Sequence, residues 1–519
     1  MQSKRDQVHA HSFMMGRLSS GLLMADPDAP ESPLGRTTRG VVFGVLATVL
    51  IGAGATVYGL LRPGGNDGWR EGVHLVVNRD TGARYLWTGS DGVLHPVRNY
   101  ASARLIGGPD LATADVRTPS LRDVPVGGPV GLPGAPDSVP DPAGLDGDAW
   151  HLCVTGPDGA LPDTSGSVAD TGAAKPGATT VVAGAALDAR GVEAGDGVLV
   201  QGPDRAQYLV WRGTRLPLDG PSHARDALGY GSQRPMPVSA AFLDALAPGP
   251  ALKPPAVPGR GEQGPLIGGE ATRVGQVFRV SVPGGSSTYQ LLRQDGLVPL
   301  TRLGAALVLG DPATQKDAYQ GASPEARTVG ADVLREHRSK DGTGTDTAEL
   351  PDVPPAPEDV PRGSALCAKV DGGAGGARIA SVLVPVTELG PGTAGAADPV
   401  RAACVPTDVT VVRPGHGALV RALNASGAAH AGTTYLVADN GVKYRVSGKE
   451  ALAALGYEAS DIDSVPAPLL ATLPTGTDLD PEAATGAAAA RVTAPDCGRR
   501  AAGTAAGKAD IVRTADTAR

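Results

Sequence analysis

One segment near the amino terminus is apolar over its whole length, whereas the rest of the chain mixes apolar and polar positions. The residues from Gly40 to Leu61 read GVVFGVLATVLIGAGATVYGLL, with no Asp, Glu, Lys, Arg or His among them. About 20 such residues in a helix cross the hydrocarbon core of a bilayer, and a helix satisfies its own backbone groups there. A signal peptide would start nearer Met1 and end in a small-residue cleavage site. The pattern therefore predicts one retained transmembrane helix.

Small residues recur every four positions along this helix, at Gly40, Gly44, Thr48, Gly52 and Thr56. Positions four apart lie on one helix face, and small side chains on that face let a second helix approach closely. We therefore expect a helix–helix contact in the membrane through this stripe.

The segment before the membrane helix has a different periodicity. Residues 4–25 carry Met14, Leu18 and Leu22 at a spacing of four, with basic residues near the start. This spacing predicts an amphipathic helix that docks on a partner or lies on the inner leaflet. Residues 26–35 are interrupted by Pro and predict a linker. Residues 1–39 are thus interpreted as a cytoplasmic amphipathic segment and linker.

Four segments after the membrane helix share a pattern of strand, turn, strand, turn, strand. Asp-Gly and Asn-Gly pairs in three of them suit the positive φ angles of tight hairpin turns. Each pattern is followed by an Ala/Leu-rich stretch ending in Gly, which predicts a short helix closed by that Gly. A Tyr in each segment is predicted to be a core or hairpin residue rather than a ligand contact. The segments are residues 74–97, 197–218, 276–300 and 433–446, with Tyr85, Tyr208, Tyr289 and Tyr435.

A larger duplication contains these repeats. WHLCVTGPDG around Cys153 resembles SALCAKVDG around Cys367, and each Cys segment stands between two repeats. We therefore predict a mainly β fold with short helices (α+β), in which four small repeats surround a central β core with pseudo-twofold symmetry. The expected repeats lie near 73–108, 195–230, 274–310 and 414–457, the core at about 148–190 and 364–410, linkers at about 109–145, 248–268 and 339–363, and a disordered tail at 498–519.

All four cysteines, Cys153, Cys367, Cys404 and Cys497, follow the membrane helix. An even number of thiols on one side of the membrane is typical of an oxidising compartment. No CxxC pair is present, which disfavours a zinc site. A pseudo-twofold axis would bring Cys153 to Cys367 and leave Cys404 to pair with Cys497, but four cysteines allow three pairings and spacing does not decide among them.

Composition and charge narrow the classes of function. Aromatic residues make up only 3% of the chain, so the core must be built mainly from Val, Leu and Ala. The net charge is −8 and no long Lys/Arg run occurs. Because nucleic-acid binding needs a basic face, a nucleic-acid partner is excluded. Arginines flank the apolar helix on both sides, so the positive-inside rule does not set its orientation.

Motifs for catalysis and metal binding are incomplete. A phosphate loop needs GxxxxGK[ST], and neither Ser447-Gly448-Lys449-Glu450 nor Gly507-Lys508 has that pattern. Asp141, Asp146 and Asp148 form an acidic loop without calcium-loop spacing, and His416 in RPGHGALV is predicted to be a turn or core residue. We therefore expect no catalytic residue, no cofactor and no metal ligand.

Together these features resemble EccB, a membrane core component of the type VII (ESX) secretion system of actinobacteria. The resemblance rests on KRDQVHAHSFMMGRLSSGLL, the helix closed by Leu-Arg-Pro, the Tyr/Asp-Gly hairpins, the LCV and LCA segments and RPGHGALV, and it covers about residues 4–497. It implies a single-pass plasma-membrane protein with a cytoplasmic amino terminus, an extracytoplasmic body and a disulfide corresponding to Cys153–Cys367. It also implies EccC, EccD, EccE and a mycosin protease as partners.

Three functions agree with these features. The favoured one is a structural subunit that supports export of WXG100-type proteins across the plasma membrane. The first alternative is a module that anchors the same machine to the cell wall. The second is an ATP-hydrolysing subunit, because members of the family are sometimes described as ATPases.

Overall fold

The structure is a computed structural model and describes residues 3–28, 33–61, 67–156, 177–281, 287–340, 349–372, 377–392, 400–423, 429–495 and 497. The predicted tail at 498–519, which includes Gly507-Lys508, lies outside these ranges. The chain divides into two units. The first comprises residues 1–96 and 112–127, and the second comprises residues 97–111 and 128–519.

Two helices begin the first unit, α1 (Lys4–Met24) and α2 (Pro33–Leu61). A capping box starts α1, in which the Ser3 side chain accepts from the backbone of Asp6 and the Asp6 carboxylate accepts from the backbone of Ser3. The helix α2 begins at Pro33, earlier than the predicted Gly40, because Pro suits the first helical turn. Within α2, residues 37–58 are long and apolar enough to cross a membrane.

The first unit also contains a four-stranded sheet. The strands β1 (His74–Asn78), β2 (Arg84–Trp87) and β3 (Leu94–Pro96) form an antiparallel meander. The chain then forms α3 (Tyr100–Gly107), which belongs to the second unit, and returns as β4 (Ala112–Val116), parallel to β1. A short helix, α4 (Thr118–Leu121), follows.

The second unit contains the remaining elements. Its first half comprises β5 (Trp150–Thr155), β6 (Thr179–Val182), β7 (Arg190–Gly191), β8 (Asp196–Gln201), β9 (Gln207–Trp211), β10 (Thr214–Pro217), α5 (Ala224–Ala227), β11 (Met236–Pro237), α6 (Ala240–Ala245) and β12 (Ala247–Pro248). Next come β13 (Val277–Val280), β14 (Thr288–Arg293), β15 (Gly296–Leu300), α7 (Arg302–Gly310), α8 (Pro312–Asp317), β16 (Arg327–Val329), α9 (Ala331–His337) and β17 (Ala356–Pro357). The last elements are β18 (Ser364–Asp371), β19 (Arg378–Pro385), β20 (Val409–Val411), β21 (Ala418–Leu423), β22 (Ala429–Val437), β23 (Lys443–Val446), α10 (Gly448–Ala454), β24 (Asp463–Pro466), α11 (Ala467–Leu470) and α12 (Pro481–Thr485).

The four repeats share one topology. In each, a three-stranded meander is followed by a helix and then by a fourth strand parallel to the first, giving β1–β4, β8–β11, β13–β16 and β21–β24 as the parallel pairs. The predicted tyrosines all lie in the second strand, on β2, β9, β14 and β22. The sequence prediction missed the fourth strand, which lies beyond each predicted repeat and has only two to five residues.

A six-stranded sheet forms the centre of the second unit, in the order β20-β6-β5-β18-β19-β7. The middle strands β5 and β18 are antiparallel, and Cys153 stands directly opposite Cys367. The strand pairs β5–β6 and β18–β19 are related by the pseudo-twofold axis, and the third strand of each half joins the edge of the other half. The symmetry is broken at these edges, where β20 runs parallel and β7 antiparallel to its neighbour.

The second and fourth repeats both pack on this central sheet and are called the inner repeats. Trp150, Leu152 and Val154 share one hydrophobic core with residues of both, among them Val200 and Val420. The other repeat helices pack farther out. The helix α7 contributes to a core with the second repeat, and α3 contributes to a core with the fourth repeat and α12. The second unit thus has two arms. One arm consists of α3 and the fourth repeat, and the other consists of the second and third repeats.

Candidate functional site

The helix α2 is the first candidate site, because its apolar side chains have no covering in the described chain. Phe43, Ile51 and Tyr58 are all more than 60% exposed. An apolar helix with this exposure is stable in lipid rather than in water. The hydroxyls of Thr48 and Thr56 donate to the carbonyls of Gly44 and Gly52, so the predicted stripe presents no unpaired hydroxyl donor.

A buried carboxylate, Asp146, is the second candidate site. Arg413 and His416 are the ends of a tight turn in which the His416 amide donates to the Arg413 carbonyl at 3.0 Å. Pro414 and Gly415, with Gly415 at φ +75°, suit the two middle positions of such a turn. The turn therefore presents Arg413 and His416 side by side.

Both turn residues contact the Asp146 carboxylate, whose side chain is only 2% exposed. The Arg413 guanidinium donates to both carboxylate oxygens, and His416 Nδ1 lies 3.0 Å from Oδ1. The hydrogen bond to Asp146 raises the pKa of Arg413 above the usual value of an arginine side chain. His416 is thus a turn residue, and it binds an acidic residue that was predicted to lie in a separate loop.

The other half of the second unit has a matching ion pair. Arg190, just before the second repeat, binds Glu358, just before the core strand β18. Likewise Arg413 precedes the fourth repeat and Asp146 precedes the core strand β5. Each half therefore sends an acidic linker to an arginine of the opposite half.

Two tyrosines fix the same linkers. Tyr230 donates its hydroxyl to the Pro355 carbonyl at 2.8 Å, and Tyr457 donates to the Pro140 carbonyl at 2.7 Å. Both rings are almost fully buried, and burial raises the pKa of Tyr230 to about 12 and raises that of Tyr457 as well. Through these contacts, the linker before the core strand of each half is held by the inner repeat of the other half. We call this arrangement the exchange of linkers.

Sequence reasoning missed this exchange, although a signal for it exists. Only the second and fourth repeats end their helix in Leu-Gly-Tyr, whereas the first ends in Gly-Gly and the third in Gly-Asp. Gly229 and Gly456 adopt φ near +85° before each Tyr, which turns the chain so that the ring enters the core. The Tyr therefore distinguishes repeats that contact the central sheet.

Each cysteine pair lies at disulfide distance. Cys153 and Cys367 are fully buried with Cα atoms 4.0 Å apart. The Cα atoms of Cys404 and Cys497 are 5.2 Å apart, and Cys497 is exposed. This pairing matches the one that the pseudo-twofold arrangement would produce.

The residues considered for nucleotide binding and for calcium binding do not come together in a site. Between β23 and α10 only Ser447 remains, which is too short a connection to wrap a phosphate, and Lys449 is exposed on α10. Asp146 is already bound by Arg413. Across the described ranges, no group of three or more His, Cys, Asp or Glu side chains is placed to hold a metal ion.

Comparison with known proteins decides the family. Residues 1–491 match the family model for the type VII secretion system ESX-1, transport TM domain B, EccB. The chain belongs to the EccB family. Among EccB relatives, the ESX-3 secretion system ATPase EccB3 of Mycolicibacterium smegmatis is 29% identical over 486 residues, which cover 88% of this chain and 86% of the relative. The ESX-1 secretion system ATPase EccB1 of Mycobacterium tuberculosis is 36% identical over 149 residues, or 29% and 30% of the two chains.

Solved EccB-type structures have the same fold. A chain of an intact ESX-5 inner membrane complex superposes with a TM-score of 0.58 at 25% identity, covering 96% of this chain and 97% of that one. An EccB3 dimer from the ESX-3 core complex gives a TM-score of 0.59 at 24% identity, covering 79% and 99%. The predicted mixed α+β fold, with short helices, one amino-terminal membrane helix and several sheets, is confirmed.

Proposed function

We propose that this EccB is a non-catalytic assembly subunit of a type VII secretion membrane complex and supports the export of WXG100-type proteins. The observation that carries the proposal is one exposed apolar helix joined to a body whose halves exchange linkers and pair cysteines. Such a body provides rigid surfaces rather than a reaction centre. The similarity to a chain of the ESX-5 inner membrane complex supports a place among other membrane components.

The amino terminus lies in the cytoplasm and the body outside the plasma membrane in this proposal. Paired cysteines in the body support this orientation, because disulfides persist in oxidising compartments. Protease added to intact protoplasts should digest the body and leave α1 protected. A body that resists protease until the membrane is opened would contradict the orientation.

EccC, EccD, EccE and a mycosin protease are the proposed partners, and the small-residue stripe on α2 is the proposed membrane contact. A Cβ atom at Gly44 or Gly52 would meet no heavy atom of the described chain within 4 Å, so a larger side chain there leaves the chain's own fold undisturbed. Replacing both by Leu should reduce recovery of these partners by affinity purification, because a close helix approach is blocked. Replacing Val45 and Ile51 by Leu is the matched control and should leave recovery unchanged.

An ATP-hydrolysing role is the second candidate, because the printed names of EccB relatives include ATPase. Lys449 follows Gly448, as the lysine of a phosphate loop follows a Gly, and is therefore the lysine to test. Nucleotide turnover by the purified chain that survives Lys449→Ala but is lost on denaturation would support a different nucleotide site.

Cell-wall anchoring is tested by sedimentation of the same protein with purified peptidoglycan.

A further inference from the structure

The two cysteine pairs differ in what can reach them. Cys153 and Cys367 are fully buried in the central sheet, so a thiol reagent in solution does not contact them in the folded protein. Cys497 is exposed and Cys404 is half-buried, so the second pair is accessible at Cys497. Thiol–disulfide exchange requires a thiolate to attack a disulfide sulfur directly. The second pair is therefore the one that is open to this reaction.

The second pair also forms part of the wall of a groove. This groove has a volume of about 800 Å³ and lies between the second repeat and residues 404–406, and we call it the cysteine groove. Among its charged residues, Arg215 and Asp244 bind each other at 3.0 Å, and the Asp204 carboxylate accepts from the Ala206 amide. Its walls are otherwise mostly apolar and include Pro203, Tyr208, Leu243, Pro248, Val405 and Pro406. The groove thus offers an apolar surface directly beside a disulfide.

The two chain segments that the pair joins are each held without it. On one side, Arg401 and Thr475 exchange two backbone hydrogen bonds, and the Val405 amide donates to the carbonyl that follows α11. On the other side, the amide and the hydroxyl of Thr493 donate to the Asp478 carboxylate at 2.9 and 2.6 Å. Opening the pair therefore leaves both segments in place and releases only the chain after Thr493 from the groove wall.

We infer that Cys404–Cys497 is a site of reversible thiol–disulfide exchange with a dithiol protein that docks in the cysteine groove. The exposed disulfide specifies a thiol as the attacking group, and the apolar walls provide the surface on which the protein that carries this thiol is seated. The chain is the substrate of this exchange and not its catalyst.

The exchange takes place in two steps. A thiolate of the partner attacks the Sγ atom of Cys497, and a partner–Cys497 disulfide forms as the Cys404–Cys497 bond breaks. Cys404 leaves as a thiolate and takes up the proton that the attacking thiol gave to the solvent. The second thiol of the partner then attacks the mixed disulfide, which oxidises the partner to a disulfide and leaves Cys404 and Cys497 as thiols.

Thioredoxin whose second active-site cysteine is replaced by Ser is the probe, because it forms a mixed disulfide and cannot resolve it. It is mixed at neutral pH with the detergent-solubilised full chain, and the adduct is mapped by mass spectrometry of non-reduced peptides. We expect one adduct per chain, on Cys497, with Cys404 recovered as a free thiol and Cys153–Cys367 still closed.

A filled groove separates docking from simple exposure of the disulfide. Ala240 is exposed and lines the cysteine groove, so Ala240→Trp fills the groove without entering the core. This variant should slow adduct formation at least about tenfold, because the protein probe loses its seat. Reduction by dithiothreitol should change by less than about twofold, since a small reagent needs only access to Cys497. Ala453→Trp, at an exposed position of α10 outside the groove, is the matched control and should change neither rate.

Three results would overturn the inference. One is the absence of an adduct with the folded chain. Another is an adduct on Cys153 or Cys367, which would mean that burial does not protect the central pair. The third is undiminished adduct formation by Ala240→Trp, which would mean that the probe does not dock in the groove. Circular dichroism of each variant establishes that the fold is retained. Recovery of the membrane partners tests the assembly role separately, so either proposal can fail without the other.

Discussion

Replacing Cys153 and Cys367 together by Ala removes a covalent link between the two middle strands and adds no new contact. The strands themselves keep six paired positions from Trp150 to Thr155, so the native sheet is retained. The cost therefore arises in the unfolded chain, which gains the freedom of a loop with a sequence separation of 214. The chain-entropy treatment gives about 5 kcal/mol at 25 °C for a loop of this length, and measured disulfides commonly deliver about 2–4 kcal/mol.

The assay is guanidinium unfolding of the full chain in detergent, followed by tryptophan fluorescence, which includes Trp150 on β5. We expect the midpoint to fall with little change in slope, corresponding to a loss of about 3–5 kcal/mol. A loss below about 1 kcal/mol would refute the reasoning, because it would mean that the pair does not cross-link the unfolded chain.

The second cysteine pair provides the matched control. Its separation is 93, and the two loops do not overlap along the chain, so removing both pairs should give additive losses. Burial predicts a further difference, since Cys497 is exposed while Cys153 and Cys367 are fully buried. Mild reductant on the folded protein should therefore open Cys404–Cys497 first, as measured by mass after maleimide labelling.

Three further predictions concern the linkers and the central sheet. Arg413→Met should destabilise more than Asp146→Asn, by about 1–3 kcal/mol in chemical unfolding, because it leaves a buried carboxylate without its cation; equal losses would contradict this. Tyr230→Phe and Tyr457→Phe should each cost about 1–2 kcal/mol by the same measurement, since each leaves a linker carbonyl without its donor, whereas Tyr85→Phe should cost less. Burial lowers the pKa of His151 to about 4, so below pH 6.5 the unfolded chain binds a proton that the folded chain does not. Stability should then be full above pH 6.5 and fall by up to about 3 kcal/mol towards pH 4, and His151→Phe should flatten this part of the profile.

The hairpins and the membrane helix were predictable because local signals specify them. Asp-Gly and Asn-Gly turns favour hairpins wherever they occur, and an uninterrupted apolar segment needs no tertiary context. The Cys153–Cys367 alignment was accessible only as one of three pairings, because two similar segments meet at equivalent positions when they lie beside a twofold axis, and only the structure shows that β5 and β18 are adjacent.

The fourth strand of each repeat was not predictable from its own residues. Met236–Pro237 and Arg327–Val329 are too short to show an alternating pattern, and they become strands only because the first strand of the repeat offers an open edge. The contact between Asp146 and His416 was missed for a related reason. These residues are 270 positions apart, and only the exchange of linkers brings them together.

This exchange determines which parts of the second unit can move separately. The linker before β5 is held by the fourth repeat through Tyr457 and Arg413, and the linker before β18 is held by the second repeat through Tyr230 and Arg190. Neither inner repeat can therefore leave the central sheet without breaking contacts of the opposite half. Because both linkers, both inner repeats and the six-stranded sheet share these contacts, they must loosen together. The third repeat, which contributes no residue to the core shared with the central sheet, can adjust to a neighbour without disturbing that sheet. The second unit therefore combines a fixed core, made of the central sheet and the two inner repeats, with a third repeat that can move separately.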